Sequence, residues 1–415
     1  MVRKQVPQIV LIILMLTMRV PYANAGTSPL KGYYSIYEIV LTDIIRNGGA
    51  NLYRLVDEDR MIHLFMNDSW QTVYLVATSY PVQNKTYDFD ENKIAYLHGM
   101  PLYLHPNELI VVNATYHAQV QAKEKPQLDE NLSGSLSEIP QELKRDYCQP
   151  IGPWQFNRTS WKYLSTIVNA TAQNEDNVLR ILYSFVEWIG KNVGSPSKER
   201  FRPFYPNETY SQLNFEQGTH GEGDCDDQAN LLITLCRIVG IPAYLQIGCL
   251  YLPTEQYASR KHSDLEGHLS IEERHIGFHG WAMVYIPPWG WMPVDMTWGY
   301  DQSKGPSSAV TNSALMTVNA IAMLNIIRTD YVLEDEEWSK NLIDSNLYVA
   351  EIYSMTSLLV KPEYGQLPLG DLLPSGFGII LVTIVVLSLY VVARRRKFRY
   401  QQTAVAEVYM SYSHP

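Results

Sequence analysis

The sequence predicts an α+β protein: a β-sandwich domain, then a domain mixing helices with a hairpin, then a C-terminal transmembrane helix. Three observations carry that prediction. Strand-like alternation dominates up to residue 122, helical spacing takes over near residue 178, and residues 372–393 form an uncharged apolar run.

The chain opens with Arg3 and Lys4, an apolar run from Ile9 to Met18, and small residues at Ala23-Asn24-Ala25. This three-part layout predicts a signal peptide at 1–25, cleaved after Ala25, with a retained N-terminal anchor as the alternative. The β-sandwich domain is placed at 30–122. Its clearest strand is Ile110–Ala122, where Ile110, Val112, Ala114, Tyr116, Ala118, Val120 and Ala122 alternate with mostly polar neighbours. Such alternation gives one buried and one wet face. Tyr34–Leu41 and Thr72–Ala77 read as further strands, and Asn47-Gly48-Gly49 as a turn. Nothing in this region is equipped for chemistry, so it reads as a scaffold or adhesion module. Residues 123–142 are polar and read as a linker.

In the next domain, 143–310, Val178, Ile181, Leu182, Phe185, Ile189 and Val193 recur at helical spacing, and Gly194 with Pro196 supplies a stop. A second helix is expected over Cys225–Val239. Asp224 is its N-cap, and Ala229, Leu232, Leu235, Cys236 and Val239 line its apolar face. Gly240 and Pro242 end it. Trp281–Ile286 and Trp291–Val294 form a hairpin about Pro287-Pro288-Trp289-Gly290. Residues 311–371 read as a helical juxtamembrane region, with one helix around Met316–Ile327.

The run at 372–393 is 22 residues long, and at about 1.5 Å per residue it covers a hydrocarbon core of roughly 30 Å. Arg394-Arg395-Arg396-Lys397-Phe398-Arg399 follows at once, which places the tail, 394–415, in the cytoplasm and the domains outside. Glycosylation sequons at Asn67, Asn84, Asn113, Asn131, Asn157, Asn169 and Asn207 all fall in the exported part. A single-pass, membrane-anchored glycoprotein of the cell membrane is therefore expected. The net charge of −10 argues against nucleic acid as a partner. Four cysteines make no disulfide framework; if one bridge forms, it joins Cys148 to Cys236 or Cys249.

Cys225 opens a helix, where free N–H groups and the macrodipole favour a thiolate. Asp226 and Asp227 would oppose this if they pointed at the sulfur, and a cationic histidine beside it could outweigh them. Cys236, three turns further on, serves as an internal control, a buried small hydrophobe. His279 and Asp295 lie 16 residues apart, so a hairpin folded at residue 287 sets them opposite one another on one face. An imidazole held by a carboxylate is what a general base needs. His262, His268, His275 and His279 raise a metal site as a rival, but Gly277 makes a shared helix face unfavourable. No cofactor is implied.

Gly223-Asp224-Cys225-Asp226-Asp227-Gln228-Ala229, the leucine-rich helix, Gly240-Ile241-Pro242-Ala243, His279-Gly280-Trp281 and Gly290-Trp291-Met292-Pro293-Val294-Asp295 together resemble the transglutaminase-like superfamily. The resemblance implies a papain-like core across 143–310, with Cys225 as nucleophile, His279 as general base and acid, and Asp295 as the orienting carboxylate. The arginine common in that family just before the cysteine block is replaced here by Thr219-His220-Gly221-Glu222. The Cys225 N–H offers one oxyanion donor. The expected chemistry is attack on an amide or acyl carbonyl of a protein or peptide at the cell envelope. A thioester forms and is transferred to water or an amine. The alternative is an inactive fold serving as a binding or adhesion module.

Overall fold

The computed structural model describes residues 34–358 apart from 173, 197–201 and 212–220, with Ser211 described in its backbone only. In chain order the main elements are β1 (Tyr34–Asn47), β2 (Gln71–Thr78), β3 (Leu109–Gln121), α1 (Leu164–Ala172), α2 (Val178–Asn192), α3 (Cys225–Val239), β4 (Ala243–Tyr251), β5 (Arg260–Asp264), β6 (Leu269–Arg274), β7 (Ile276–Ile286), β8 (Gly290–Val294), β9 (Ala320–Ile326), α4 (Tyr331–Asp344) and β10 (Leu347–Ser357).

Two sheets organise them. A six-stranded sheet runs β5-β6-β10-β1-β3-β2, and a four-stranded sheet runs β8-β7-β4-β9. In β3 the alternation acts as expected: Ile110, Val112, Ala114, Tyr116, Ala118 and Val120 are buried while their neighbours face outward. The strand-rich N-terminal region does not close on itself, however. β1 lies between β3 and the last strand, β10, with Asp43 opposite Glu351 and Ile45 opposite Val349. The apolar face of β1 and β3 packs with Cys249, Leu269, Ile276 and Ile321, so the core is shared with residues far downstream. A strand with two unpaired edges recruits whatever partner buries them, and sequence distance does not matter to that choice. The Gln71 side chain adds a seam: its amide donates to the Ala322 carbonyl at 2.7 Å and accepts the Ala322 N–H at 2.8 Å, closing the free edge of β9.

The helices cover one face of the four-stranded sheet. Leu231, Leu232, Leu235 and Cys236 of α3 are fully buried with Leu245, Ala282 and Val284 beneath them. Each such leucine contributes about 2 kcal/mol through burial. The helix spans the predicted residues and stops at Gly240, whose φ of +90° is the left-handed C-terminal conformation that glycine adopts without strain. In α2, Asn177 is the N-cap and accepts the Arg180 N–H at 3.1 Å.

The region around Met316–Ile327 departs from expectation. It is not helical; Ala320–Ile326 is strand β9, paired antiparallel with β4. Ala, Met and Leu favour helix locally, but pairing on the open edge of β4 and burial of Ala320, Ile321 and Ala322 outweigh that preference. The following helix, α4, lies within the region expected to be helical, and β10 then returns as strand. Among the described residues no helix is long and apolar enough to cross a membrane. The predicted span at 372–393, the basic run after it and the signal peptide at 1–25 lie outside the described residues.

Candidate active site

The start of α3 is fixed by a reciprocal capping box. The Asp224 amide donates to Asp227 Oδ2 at 3.2 Å, and the Asp227 amide returns a bond to the Asp224 carboxylate. Asp227 is buried and also accepts the Phe204 N–H at 2.6 Å, while Gln228 folds back to donate to the Gly223 carbonyl at 2.7 Å. These bonds hold Cys225, which remains partly exposed, at the first turn. The helix start then comes down on β7 at Gly280. A Cβ there would lie 3.2 Å from Ile247 Cδ1 and 3.3 Å from Asp226 Cβ, so the close approach depends on glycine. The Gly280 backbone amide bears on the Cys225 thiol and favours its anion, which places the thiol one residue from His279 along β7.

His279 and Asp295 are joined: Nε2 of the buried imidazole lies 3.0 Å from Asp295 Oδ2. Their register differs by one step from a hairpin centred at 287. Ala282 faces Val294, so continuing the pairing sets Asp295 opposite Trp281, and it reaches His279 along the diagonal. The period of two keeps all three on one face. Asp295 is completely buried and accepts three further bonds, from the N–H groups of Thr297 at 3.2 Å, Trp298 at 2.9 Å and Ala314 at 3.0 Å. Burial opposes its charge, but His279 and these amides outweigh it and hold the carboxyl below its ordinary pKa. Because Asp295 occupies Nε2, Nδ1 is the ring nitrogen left for the thiol.

The sulfur is densely surrounded, and that burial pushes its pKa well above the ordinary value; Asp226, Asp224 and Asp295 add to the rise, and the Gly280 N–H opposes it. Desolvation and like charge thus oppose the helix N-terminus at this sulfur. Asp227 is turned away into its own bonds, and the carboxylates that face the sulfur are Asp224 and Asp226. Ligand atoms of Asp224, Cys225 and Asp226 lie within 4.8 Å of one another. Burial, then Asp226, pushes Asp224 up to about 9. Among the described residues these three are close enough to share a metal ion, although Asp226 already accepts a bond from Tyr331. The histidine cluster does not converge: His268 Nδ1 is tied to the Leu347 carbonyl at 2.6 Å and His275 Nδ1 to the Leu252 carbonyl at 3.0 Å. The other thiols are Cys148, partly exposed, and Cys236 and Cys249, both fully buried and all free.

Residues 165–296 match the model of the transglutaminase-like superfamily core. The chain carries a transglutaminase-like core. Solved structures with a similar course include a candidate cysteine protease from Cytophaga hutchinsonii, 12% identical over 81% of this chain and 96% of that one, with a TM-score of 0.46. The periplasmic domain of TgpA from Pseudomonas aeruginosa, bound to ethylmercury, is 12% identical over 64% and 92%, with a TM-score of 0.27. Red sea bream transglutaminase is 11% identical over 66% of this chain, with a TM-score of 0.27, and the chain spans about half of its length, 47%. No curated protein matches the chain.

Two features beside the transglutaminase-like core lie beyond its matched residues. Trp298 is 53% exposed, with its ring centroid 6.4 Å from that of His279. Tyr331, at the start of α4, donates to Asp226 Oδ2 at 2.7 Å. Neither carries a local sequence signal, because each is defined by a contact and not by spacing.

Proposed function

We propose that this chain is a thiol-dependent acyl-transfer enzyme acting on amide or peptide bonds at the cell surface. Cys225 is the nucleophile, His279 the general base and then acid, and Asp295 the carboxylate that orients it. The observation that carries this reading is the His279–Asp295 pair at 3.0 Å with the Cys225 sulfur against the next peptide along the same strand. The thiol proton passes to His279 Nδ1 as the sulfur attacks the carbonyl carbon. The C–S bond forms, the imidazolium returns the proton to the leaving amine as the C–N bond breaks, and a thioester remains. Water or an amine then attacks with His279 again taking the proton, which restores the thiol. The substrate is a protein or peptide of the envelope, and the enzyme is held there by the span at 372–393 with the tail at 394–415 inside.

A second reading, a transglutaminase-like fold kept as a binding or adhesion module without turnover, is favoured by one observation: two carboxyl groups sit beside the sulfur. The detergent-solubilised full chain, given a mixed peptide pool with a fluorescent primary amine, separates the two. Enzyme action predicts cleaved or amine-labelled peptides that vanish in Cys225→Ala. Neither product, with surface binding intact in that variant, supports the module.

A further inference from the structure

Trp298 stands 53% exposed beside His279, with the two ring centroids 6.4 Å apart and the planes at 56°. Its backbone is anchored on both sides. The Trp298 N–H donates to Asp295 Oδ1 at 2.9 Å. The next residue, Gly299, fits so closely that a Cβ there would lie 3.0 Å from the Ser313 Cα and 3.1 Å from the Ala309 carbonyl oxygen. Tyr300 then closes onto Gly190 of α2, leaving no room for a Cβ at that glycine. A segment held this way cannot retreat to bury the indole, so its apolar face stays in water until something covers it. Trp281 is the comparison. It flanks the same imidazole at 5.9 Å but is completely buried, and its Nε1 donates to Gln246 at 3.0 Å. One indole supports the imidazole, and the other is left open.

We propose that Trp298 is the specificity-determining residue on the leaving-amine side: its indole receives the apolar side chain of the residue that follows the scissile bond. This rests on the reading of Cys225 as nucleophile and His279 as general acid. The side follows from the proton. To protonate the leaving nitrogen, His279 comes within about 3 Å of it. The group carried on that nitrogen is then set beside whatever flanks the imidazole, and with Trp281 buried the open flank is Trp298. The acyl half stays with Cys225. An apolar side chain is favoured over a cationic one by the nearby acids. Asp295 is completely buried and committed to His279 and three backbone amides, and Asp301 is paired with Lys304 at 3.0 Å. Aromatic and long aliphatic side chains cover the most indole surface, and a ring pair adds to the gain from area alone. Once the amine has left, an acceptor amine enters the same place, since the second step runs the first in reverse. Its nitrogen attacks the thioester carbon, the C–N bond forms as the C–S bond breaks, and His279 takes the amine proton and returns it to the sulfur.

The reverse step supplies the test, because it requires no natural substrate. The solubilised full chain is given p-nitrophenyl acetate together with phenylalaninamide, leucinamide, argininamide or glycinamide, and N-acetyl amide and acetate are quantified by chromatography. Their ratio at a fixed amine concentration reads selection after the thioester has formed, so it is independent of how fast Cys225 is acetylated. Wild type is expected to favour phenylalaninamide and leucinamide over glycinamide by about tenfold. Trp298→Ala brings that preference below about twofold, and Trp298→Phe keeps most of it. A tryptophan with a purely structural role would lower the melting temperature and leave the preference where it was. Equal ratios for all four amides in wild type, a preference for argininamide over leucinamide, acetate with no N-acetyl amide, or a preference unmoved in Trp298→Ala overturns the proposal. Failure of the underlying reading shows differently: no acetyl appears on Cys225 in the peptide mass map, whatever the amine.

Discussion

Asp295 reaches His279 across the diagonal of its hairpin, 3.0 Å from Nε2, and not from the position directly opposite. The position directly opposite Asp295 belongs to Trp281, whose Nε1 donates to Gln246 of β4 at 3.0 Å. Asp295→Asn should keep most of the fold, since the amide oxygen can still accept from Trp298 or Ala314. It cannot hold the imidazole as a carboxylate does. Turnover on an activated ester is expected to fall by about two to four orders of magnitude. Stopped-flow release of p-nitrophenol from p-nitrophenyl acetate measures this, with circular dichroism to confirm folding.

Gly280 sets the spacing between thiol and strand. Gly280→Ala would bring a methyl to 3.2 Å from Ile247 Cδ1 and 3.3 Å from Asp226 Cβ, tighter than ordinary contact. The helix start must retreat by a few tenths of an ångström, carrying the Cys225 sulfur away from the strand. The expected outcome is a loss of about tenfold to a hundredfold in ester turnover with thermal stability only slightly lowered. Equal losses in both would point to a general packing defect.

The shared sheet carries a pH signature of its own. Asp43 and Glu351 face each other across β1 and β10, and Tyr353 donates to Asp43 at 3.4 Å. Burial, then the charge of Asp43, pushes Glu351 up to about 8, and burial raises Asp43 to about 6. A carboxyl whose folded pKa is raised contributes stability that is fully present below its unfolded value near 4 and is lost as pH rises through the folded value. Glu351→Gln should therefore raise the melting temperature at pH 8 and leave it nearly unchanged at pH 4. Scanning calorimetry at the two pH values decides it; equal shifts at both would contradict the assignment.

Much of the site could be read from the sequence where the information is local. The helix from Cys225 to Val239 is specified by Asp224, its acidic first turn and Gly240, all within one segment, and the structure reproduces both ends. The hairpin was legible in existence but not in register. Its turn centres one residue later than the midpoint of His279 and Asp295, and a proline-rich turn does not disclose that step. What was not legible is non-local. Residues 320–326 become strand because β4 offers an edge, and β10 pairs with β1 across most of the chain. Tyr331 meets Asp226 across 105 residues, and nothing around either position marks the other. The surroundings of the thiol are illegible for the same reason: a helix start is local, whereas burial and the orientation of Asp224 toward the sulfur are tertiary.

The proposal that Cys225 and His279 act together is tested most directly by acylation. The solubilised full chain is treated with p-nitrophenyl acetate near neutral pH, quenched in acid and mapped by mass spectrometry, alongside His279→Ala. The account predicts acetyl on Cys225, none on the buried Cys236, and a drop of at least about a hundredfold in its rate of formation in the variant. An unmodified Cys225, or one acetylated equally fast without the imidazole, would contradict it.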